Sequence, residues 1–525
     1  MKRLFRISKW IHKYIGLILI LFLLWMSFSG ILMNHPELID GISVPRWLVP
    51  RQYPVQNWNR SSLIRLIYSR NNPRTAFAAG KQGIYISRDG GAHFSSLMAG
   101  LPLTRFYRKT NDLFLQEGSK AQLYAAMDGG LFVYNLDSGK WRQIKLGGGR
   151  EKVVKIIRVK NRLLVFSDSH LYRSAADSLK LKFTRVDPER NARQTTISMV
   201  RLFFDVHDGS IWGLPGRLLY DMAGLILIFL SITAFYMWFY PRSRRKSVLR
   251  RKNISHPKQQ LIFRLFYRYH FKLGIWFALI LLVMGFTGFF MRPPLLALIA
   301  GKELPRDWYP GPLSGNPWEE RIHNALYDAV EDKLIIQADD GFWSGPADLS
   351  RPFQKIQLNV PVFVMGATVF EPYGRGGYLV GSFSGLFHLK RSNGQAENLL
   401  TGEIARDFST IRPADKMITG YFRTPQGDEF VTTHEQGLLP VGNAQRQGGF
   451  KMPPDIQHHY RMPLWNYCFE LHNGRIFKDL IGGFYILLVP LGSLLFMLIT
   501  LSGIIDWLYL KIRKKKHLKL KEGKK

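Results

Sequence analysis

The stretch His12-Lys-Tyr-Ile-Gly16, followed by an apolar run that ends at Ser29-Gly30, occurs twice in this chain. Its second copy is His270-Phe-Lys-Leu-Gly274, followed by an apolar run that ends at Thr287-Gly288. The histidine, the glycine and the final small pair are 258 residues apart in the two copies, with no gap. Because residues four apart share one face of a helix, the repeat predicts a duplicated helix with His at one end and Gly on the same face.

A second pair of matching stretches accompanies the first. Phe204-Asp-Val-His207-Asp-Gly209 leads into one apolar run, and Phe469-Glu-Leu-His472-Asn-Gly474 leads into another. The chain is therefore interpreted as a duplicated unit that contains a helix, a long external segment, a His-x-Gly motif and a second helix.

Four windows of the sequence carry no charge over a length that can cross a lipid bilayer. A helix needs about 20 such residues to span about 30 Å of hydrocarbon. The sequence therefore predicts an α-helical membrane protein with four transmembrane helices, over residues 14–33, 222–241, 273–291 and 480–505.

Positive charge predicts the orientation of these helices. Residues 1–13, 242–272 and 511–525 together carry +24 of the formal net charge of +35. Lys and Arg concentrate in short cytoplasmic loops. We therefore expect both termini and the middle loop in the cytoplasm and two large segments in the periplasm. This topology explains the basic composition, so nucleic acid is not an expected partner.

The expected organisation has eight parts. They are a cytoplasmic N-terminus with the first helix (1–34), a periplasmic β-rich segment (35–206), the second helix (207–241), a basic cytoplasmic loop (242–272), the third helix (273–291), a second periplasmic β-rich segment (292–471), the fourth helix (472–510) and a basic cytoplasmic tail (511–525).

The two external segments are rich in short β-type runs, and a Gly-apolar-aromatic pattern or a close variant recurs in them. It starts at residues 83, 130 and 170 in the first segment and at 341, 385 and 437 in the second. Periods of about 40–50 residues are typical of propeller blades. Three blade-like units per segment are expected, which form either one six-bladed ring or two separate β-domains. A generic β-meander is the plainer alternative.

One turn motif supports the propeller interpretation. Residues 87–94 (SRDGGAHF) are similar to an Asp-box, the Ser-x-Asp-x-Gly-x-x-aromatic turn of sialidase-like propellers. Asp caps such a hairpin and Gly supplies a positive φ. The motif therefore predicts a structural turn and says nothing about catalysis.

The repeated histidines are candidate metal ligands. Two neutral imidazoles on facing helices can ligate a haem iron, and small residues allow a flat porphyrin to lie against the backbone. Pairing like with like predicts one site from His12 and His270 at the cytoplasmic side and one from His207 and His472 at the periplasmic side. A lone His at a membrane interface is more often only an interfacial residue, and the duplication is what favours ligation.

Three further residues belong to the predicted cofactor sites. Gly16 and Gly274 lie one turn from the inner histidines and would leave room for a porphyrin. His35, just past the first helix, is a secondary candidate that could replace an outer ligand. With Cys468 as the single cysteine, the chain has no internal disulfide and no covalent haem attachment motif, so any haem would be held non-covalently.

These four helix-flanking patterns resemble the PepSY-associated transmembrane proteins. Thr233-Ala234 and Ser502-Gly503 stand where a Thr-Gly pair closes the second helix of that group. The group includes inner-membrane di-haem reductases that act on ferric siderophores at the periplasmic face. The resemblance implies two haem b groups at His12, His270, His207 and His472. No PepSY domain is recognised outside the helices, where the propeller-like segments stand instead.

The function expected from the sequence is electron transfer across the bacterial inner membrane to a periplasmic acceptor, for which ferric siderophores or other iron chelates are the leading class by resemblance. No flavin or nicotinamide motif is visible, so a quinol or a separate reductase is expected as the cytoplasmic-side donor. The chain would then be a haem-dependent transmembrane reductase in contact with membrane lipid. The alternative is a non-catalytic, membrane-anchored, propeller-like binding or assembly protein.

Overall fold

The structure is a computed structural model that describes most of the chain. The described residues are 2–39, 41–51, 53–102, 104–118, 121–135, 138–147, 149, 151–175, 182–191, 196–249, 257–312, 315–406, 413–442, 449–459 and 461–522. Part of the predicted basic loop, residues 250–256, and the last three residues of the predicted tail lie outside them.

The chain divides into two compact units. The first, here called the membrane unit, comprises Met1–Ile39, Met199–Pro312 and Leu464–Lys525. The second, here called the propeller unit, comprises Asp40–Ser198 and Leu313–Pro463. Each unit is thus assembled from segments of both halves of the sequence.

Eleven α-helices are present in the described residues. They are Lys2–Asn34 (α1), Pro36–Ile39 (α2), Arg105–Arg108 (α3), Met199–Asp208 (α4), Gly213–Leu249 (α5), Pro257–Trp276 (α6), Ala278–Phe290 (α7), Pro454–His459 (α8), Leu464–His472 (α9), Lys478–Ile481 (α10) and Tyr485–Glu522 (α11).

Three stretches of the described chain, 2–34, 210–245 and 475–514, are helical, long and apolar enough to cross a membrane. The third predicted helix instead consists of α6 and α7, which meet at Phe277 with a bend of 63°. If this bent pair is one span, the count reaches the four that the sequence predicts. Apolar composition does not reveal such a bend, because residues 273–276 and 278–291 on its two sides are uncharged alike.

The helices of the membrane unit pack as two interleaved copies. Helix α1 contacts α5 and α11, and α11 also contacts α7. The short helices that precede α5 and α11 pack on helices of the other copy: α4 contacts α7, and α9 contacts α1. An apolar cluster fills the middle of the bundle, with Leu19, Phe22, Ala223, Leu281 and Phe496 among its buried members. Every helix end that carries a histidine motif is therefore adjacent to a helix of the other copy.

Twenty-five strands are described, and most of them form six antiparallel sheets in chain order. The strands are Arg65–Tyr68 (β1), Ala76–Gly80 (β2), Gly83–Ser87 (β3), Ser95–Ser96 (β4), Thr110–Gln116 (β5), Gln122–Met127 (β6), Gly130–Asn135 (β7), Lys140–Ile144 (β8), Val153–Val159 (β9), Arg162–Ser167 (β10), Leu171–Ser174 (β11), Phe183–Arg185 (β12), Thr196–Ser198 (β13), Glu303–Pro305 (β14), Ile322–Asp328 (β15), Lys333–Ala338 (β16), Gly341–Pro346 (β17), Gln354–Ile356 (β18), Val369–Pro372 (β19), Gly377–Ser382 (β20), Gly385–Lys390 (β21), Ala396–Asn398 (β22), Ile418–Arg423 (β23), Glu429–Thr433 (β24) and Gly437–Pro440 (β25).

The six sheets are the blades of one closed propeller. Five have four strands (β1–β4, β5–β8, β9–β12, β15–β18 and β19–β22), and the sixth has three (β23–β25). The first strand of each blade contacts the first strands of both neighbouring blades, and β23 contacts β1. Apolar clusters fill the spaces between successive blades. The alternative of two separate β-domains is therefore wrong, because the third blade packs on the fourth.

The chain before the first blade closes this ring. The backbone carbonyl of Asn57 accepts a hydrogen bond from the amide of Leu438 at 2.8 Å, in β25 of the last blade. The indole of Trp58, which is fully buried, donates to the carbonyl of Phe450 at 2.6 Å. The first segment of the propeller unit thus joins its last blade, which links residues almost 400 positions apart.

The sequence patterns fall at equivalent places in the blades. Five of the six Gly-apolar-aromatic patterns begin at the first residue of a third strand, and the sixth, at His170, begins one residue before it. The Asp-box forms the turn between β3 and β4, where the Asp89 carboxylate accepts hydrogen bonds from Ser87 Oγ at 2.7 Å and from the His93 amide at 3.0 Å. The motif is a structural turn, as predicted.

Replacement of Gly420 by Ala tests ring closure. A Cβ atom at Gly420 would lie 2.3 Å from the backbone oxygen of Ile64, which precedes β1. Since a backbone atom cannot move aside cheaply, we expect Gly420→Ala to destabilise the protein by about 1–3 kcal/mol. Thermal unfolding of the purified full chain in detergent, followed by tryptophan fluorescence, measures the effect.

Gly376→Ala is the matched control for this prediction, because no atom lies closer than 3.7 Å to a Cβ atom at that position. An equal melting temperature for the two variants would contradict the close contact between the last blade and the first.

Candidate functional site

The four repeated histidines form two pairs in the membrane unit. The ring centroids of His12 and His270 are 6.1 Å apart, with an angle of 88° between the ring planes. The centroids of His207 and His472 are 6.2 Å apart, with an angle of 73°. The structure thus brings together the two pairs that the repeat predicts. Each pair contains one histidine from each copy.

A hydroxyl group from the opposite copy holds each imidazole through its Nδ1 atom. His12 Nδ1 lies 3.1 Å from Ser502 Oγ, and His270 Nδ1 lies 2.8 Å from Thr233 Oγ1. In the other pair, the distances are 3.0 Å from His207 Nδ1 to Thr287 Oγ1 and 2.9 Å from His472 Nδ1 to Ser29 Oγ. These hydroxyls are the Ser and Thr residues that begin the small pair of each predicted helix.

The direction of these hydrogen bonds follows from the single proton of a hydroxyl group. Each hydroxyl donates to a backbone carbonyl of its own helix, for example Thr287 Oγ1 to Val283 at 2.8 Å and Ser29 Oγ to Trp25 at 2.6 Å. The same holds for the other two hydroxyls. The oxygen can then only accept from the imidazole, so the proton of each neutral ring lies on Nδ1 and Nε2 keeps its lone pair.

A carbonyl group supports this assignment for His12 independently. Its Nδ1 lies 3.0 Å from the backbone oxygen of Ile499, and a carbonyl oxygen can only accept. A bond from Nδ1–H to a neighbouring group is the usual way in which a protein orients a metal-binding histidine.

Glycine beside the hydroxyl leaves space for the imidazole in three of the four positions. A Cβ atom would lie 3.4 Å from Cε1 of His472 at Gly30, 3.0 Å from Cε1 of His207 at Gly288 and 3.2 Å from Cε1 of His12 at Gly503. The fourth position is Ala234. Each small pair is therefore the surface on which an imidazole of the other copy packs.

Each histidine pair could supply the two protein ligands that a haem iron needs. A metal–imidazole nitrogen bond is about 2.0 Å long. Two imidazoles bound to one metal ion would therefore have ring centroids about 6 Å apart, and both observed separations are close to this value. No group of three or more His, Cys, Asp or Glu residues suited to a bare metal ion occurs in the described part of the chain, and a haem iron needs only two protein ligands.

The two glycines one turn after His12 and His270 have open space beside them. A Cβ atom at Gly16 would have no neighbouring heavy atom within 4 Å, and one at Gly274 would meet only Leu230 Cδ2 at 3.9 Å. Both glycines were predicted from their position one turn after a histidine. Neither is required by packing against another helix.

The structure places His35 away from the histidine pairs. Its Nε2 lies 2.6 Å from Asp221 Oδ2, and the same carboxylate accepts a hydrogen bond from Asn34 Nδ2 at 2.8 Å. As a secondary candidate, His35 therefore has a carboxylate partner instead of a place opposite another imidazole.

The acidic residues two positions before the outer histidines do not orient the rings. Asp205 accepts a hydrogen bond from the Tyr309 hydroxyl at 2.8 Å, and Glu470 lies 3.3 Å from Arg475 Nη1. The orienting role belongs to hydroxyls from the other copy. The sequence shows these hydroxyls within the repeat, but the helical period alone does not indicate which residue faces them.

The propeller unit contains a cluster of four charged residues, here called the channel cluster. It consists of Arg65, Asp112, Lys155 and Glu371, which lie on the first strands of four different blades. Arg65 contacts Glu371 and lies 3.3 Å from Asp112, and Lys155 lies 3.8 Å from both carboxylates. Two cations and two anions therefore meet where the inner strands converge.

The channel cluster leaves only a small cavity between the inner strands. The cavity at its centre has a volume of about 20 Å³, which is room for about one water molecule. Burial acts to raise the pKa of Glu371, but the nearby Arg65 and Lys155 outweigh it and hold that pKa below its usual range. The four charges neutralise one another and tie the blades together, which is a structural role.

Comparison with known proteins gives one family match. Residues 173–240 match the family described as the PepSY-associated TM region. No curated protein matches the chain. The matched part includes α4 and most of α5, with His207 and Thr233, so this segment is similar to that family.

Several solved structures have a partial likeness to the chain. The extracellular domain of a hybrid two-component system of B. thetaiotaomicron is 12% identical, with a TM-score of 0.36, over 75% of this chain and 34% of that chain. An ancestral GH74 enzyme is 8% identical, with a TM-score of 0.35, over 73% and 45% of the two chains. PorZ, a surface component of the type-IX secretion system of Porphyromonas gingivalis, is 10% identical, with a TM-score of 0.32, over 74% and 32%. The chain thus spans about a third to a half of the length of these proteins.

Replacement of Thr233 by Val removes the hydroxyl that accepts from His270 Nδ1–H and keeps the side-chain shape. The backbone of Leu230 remains as a second acceptor, so the loss is that of one hydrogen bond, about 0.5–1.5 kcal/mol. We therefore expect a lower melting temperature in thermal unfolding, with the Nδ1–H tautomer kept in nitrogen NMR of ¹⁵N-histidine-labelled protein. Thr233→Ser, which keeps the hydroxyl, should resemble the wild type, and a wild-type melting temperature for Thr233→Val would contradict the contribution of this hydrogen bond.

Replacement of Glu371 by Gln tests the channel cluster. Because the pKa of Glu371 is lowered in the folded state, its carboxylate stabilises the protein above the unfolded-state pKa of about 4.3, and this contribution is lost as the pH falls through the folded-state pKa. We expect Glu371→Gln to melt at a lower temperature than the wild type at pH 7. As the pH falls below about 4, the two melting temperatures should converge.

The control is Glu403→Gln, at an exposed position of the same unit, which should follow the wild type at every pH. A difference between Glu371→Gln and the wild type that stayed constant down to acid pH would show that the charge of Glu371 is not what stabilises the cluster.

Proposed function

We propose that the membrane unit is a haem b electron carrier that passes electrons across the bacterial inner membrane to a periplasmic acceptor. The observation that carries the proposal is the pair of cross-copy histidine contacts, at 6.1 and 6.2 Å, in which every imidazole has its Nδ1 atom bound to a hydroxyl. Bound haem b would supply reversible one-electron chemistry at each pair.

The protein's own groups would hold the two cofactors rigidly. The hydroxyls would leave Nε2 of each ring free as a ligand and keep the rings from rotating, which would reduce the rearrangement of the site when the charge of an iron changes.

The two sites lie far apart along the bundle. His12 and Ser29, which belong to different sites, lie 17 residues apart on α1, and this corresponds to roughly 25 Å along the helix axis. One site would therefore serve each side of the membrane.

The direction of transfer is proposed from the distribution of charge. The basic segments 1–13, 242–272 and 511–525 would face the cytoplasm, which places the His12–His270 pair near a cytoplasmic-side donor, either a quinol or a separate reductase. The His207–His472 pair would then serve the periplasmic side. A ferric siderophore or another iron chelate is the proposed acceptor, because the helices resemble those of siderophore-iron reductases.

A visible spectrum of the purified full chain, expressed with a supply of haem, tests this function. We expect a Soret band that sharpens and shifts on reduction with dithionite, with about two haem b per chain. His12→Ala with His270→Ala should remove one haem, and His207→Ala with His472→Ala should remove the other, since each double change takes both axial ligands from one site.

His93→Ala is the control, because the His93 side chain is 67% exposed in the propeller unit. Loss of both haems from either double variant would contradict the proposed pairing. A colourless wild-type preparation would instead favour a membrane-anchored propeller-like binding or assembly protein.

A further inference from the structure

A third repeat follows the helices of the first one. Residues 38–50 (LIDGISVPRWLVP) and 298–310 (LIAGKELPRDWYP) share Leu, Ile, Gly, Pro, Arg and Pro at a constant offset of 260 residues. Each also contains one tryptophan within two positions after its Pro-Arg pair, Trp47 in the first stretch and Trp308 in the second. The two stretches, here called the exit segments, begin four residues after the end of α1 and eight residues after the end of α7.

The exit segments have the same local conformation. A glycine with positive φ lies two residues after the isoleucine in both, at 85° for Gly41 and 71° for Gly301. Each segment then enters one turn of 3₁₀ helix, at 46–48 and 306–308, through a proline with φ and ψ of −55° and 139° at Pro45 and −52° and 136° at Pro305. Because sequence and backbone agree, the two segments are equivalent parts of the duplicated unit.

Each exit segment exposes two large apolar side chains. The isoleucine of each Leu-Ile pair is buried, whereas the leucines, Leu38 and Leu298, are 77% and 55% exposed. Trp47 is 81% exposed, and Trp308 is 69% exposed. Single exposed apolar side chains are common on proteins, but here the same two residue types are exposed in both copies. The duplication therefore indicates that something outside the described chain covers them.

Backbone hydrogen bonds tie the exit segments to the short helices that contain the histidines of the second pair. The amide of Val44 donates to the carbonyl of Met462 at 2.9 Å, two residues before α9. The amide of Met199, the first residue of α4, donates to the carbonyl of Lys302 at 2.9 Å. Met199 is eight residues before His207, which is roughly 12 Å along a helix. The exit segments therefore belong to the end of the bundle that holds the His207–His472 pair.

A lipid bilayer explains both the residue types and their duplication. Tryptophan is enriched where a membrane protein meets the headgroup layer, because its ring is apolar and its N–H group is polar. Helices α1 and α7 end on the same side of the bundle, since Ser29 and Thr287 both contact histidines of one pair. A membrane surface offers the same environment to both copies, whereas a single protein partner would bind one of them.

We infer that the exit segments are membrane-surface anchors, in which the exposed leucine and tryptophan of each segment enter the headgroup layer of the bilayer. The sequence assigns both stretches to the external segments, because neither is long or apolar enough to span a membrane. The lipid contact of the chain thus extends beyond its membrane-spanning helices. This anchoring is independent of haem and of the proposed electron transfer.

Spin labels next to the two tryptophans test the inference. The full chain with Cys468→Ala receives Arg46→Cys or Asp307→Cys, both at exposed positions, and is placed in nanodiscs of phosphatidylethanolamine and phosphatidylglycerol. Molecular oxygen concentrates in lipid and a water-soluble nickel chelate in the aqueous phase. We expect both labels to collide with oxygen more often than with the nickel chelate.

Val330→Cys is the matched control, since Val330 is an apolar residue with 63% exposure in the turn between β15 and β16. Its label should collide more often with the nickel chelate. Trp47→Ser in the Arg46→Cys protein and Trp308→Ser in the Asp307→Cys protein should shift the labels towards this control. The melting temperatures in detergent should stay unchanged, because both tryptophans are exposed.

Two results would overturn the inference. Labels at both positions that are as accessible to the nickel chelate as the Val330→Cys label would show that lipid does not cover the exit segments. Immobilised labels that neither reagent reaches would assign these segments to a protein partner or to a second copy of the chain. Labels that stay in lipid after both Trp→Ser changes would show that the tryptophans are not the anchors.

Discussion

The hydrogen bond from an imidazole Nδ1–H to a helix hydroxyl is the interaction on which the membrane unit depends. Each hydroxyl already donates its proton to a carbonyl of its own helix, so it can only accept from the ring. All four bonds join one copy of the repeat to the other. They therefore fix the orientation of the rings and also hold the two copies of the repeat in register.

Long-range closure has the corresponding role in the propeller unit. A segment before the first blade pairs with the last one, at Asn57 and Leu438, and adds to the contacts between the first and last blades that close the ring. The channel cluster then ties four of the inner strands together with two cations and two anions. Charges this deep inside a protein are stabilising only when they compensate one another, so the cluster acts as one unit.

Much of the site could be predicted from the sequence, because duplication places identical groups at identical positions. The spacing of His12, His270, His207 and His472 was enough to predict which rings meet. The role of the hydroxyls was not predictable, since it depends on which helix packs opposite Thr233 or Ser502. The bend at Phe277 was missed because the uncharged run continues through it, from residue 273 to residue 291. Blade positions were visible as a period, whereas ring closure depends on contacts between distant residues that no local pattern encodes.

The crossing of the two copies has a consequence for the origin of the molecule. Neither half of the chain contains a complete histidine pair, so an ancestor of half this length could have formed such pairs only as a symmetric homodimer. In a single polypeptide the two copies need not stay identical, and the difference between Ala234 and Gly503 is an asymmetry that a symmetric dimer could not have.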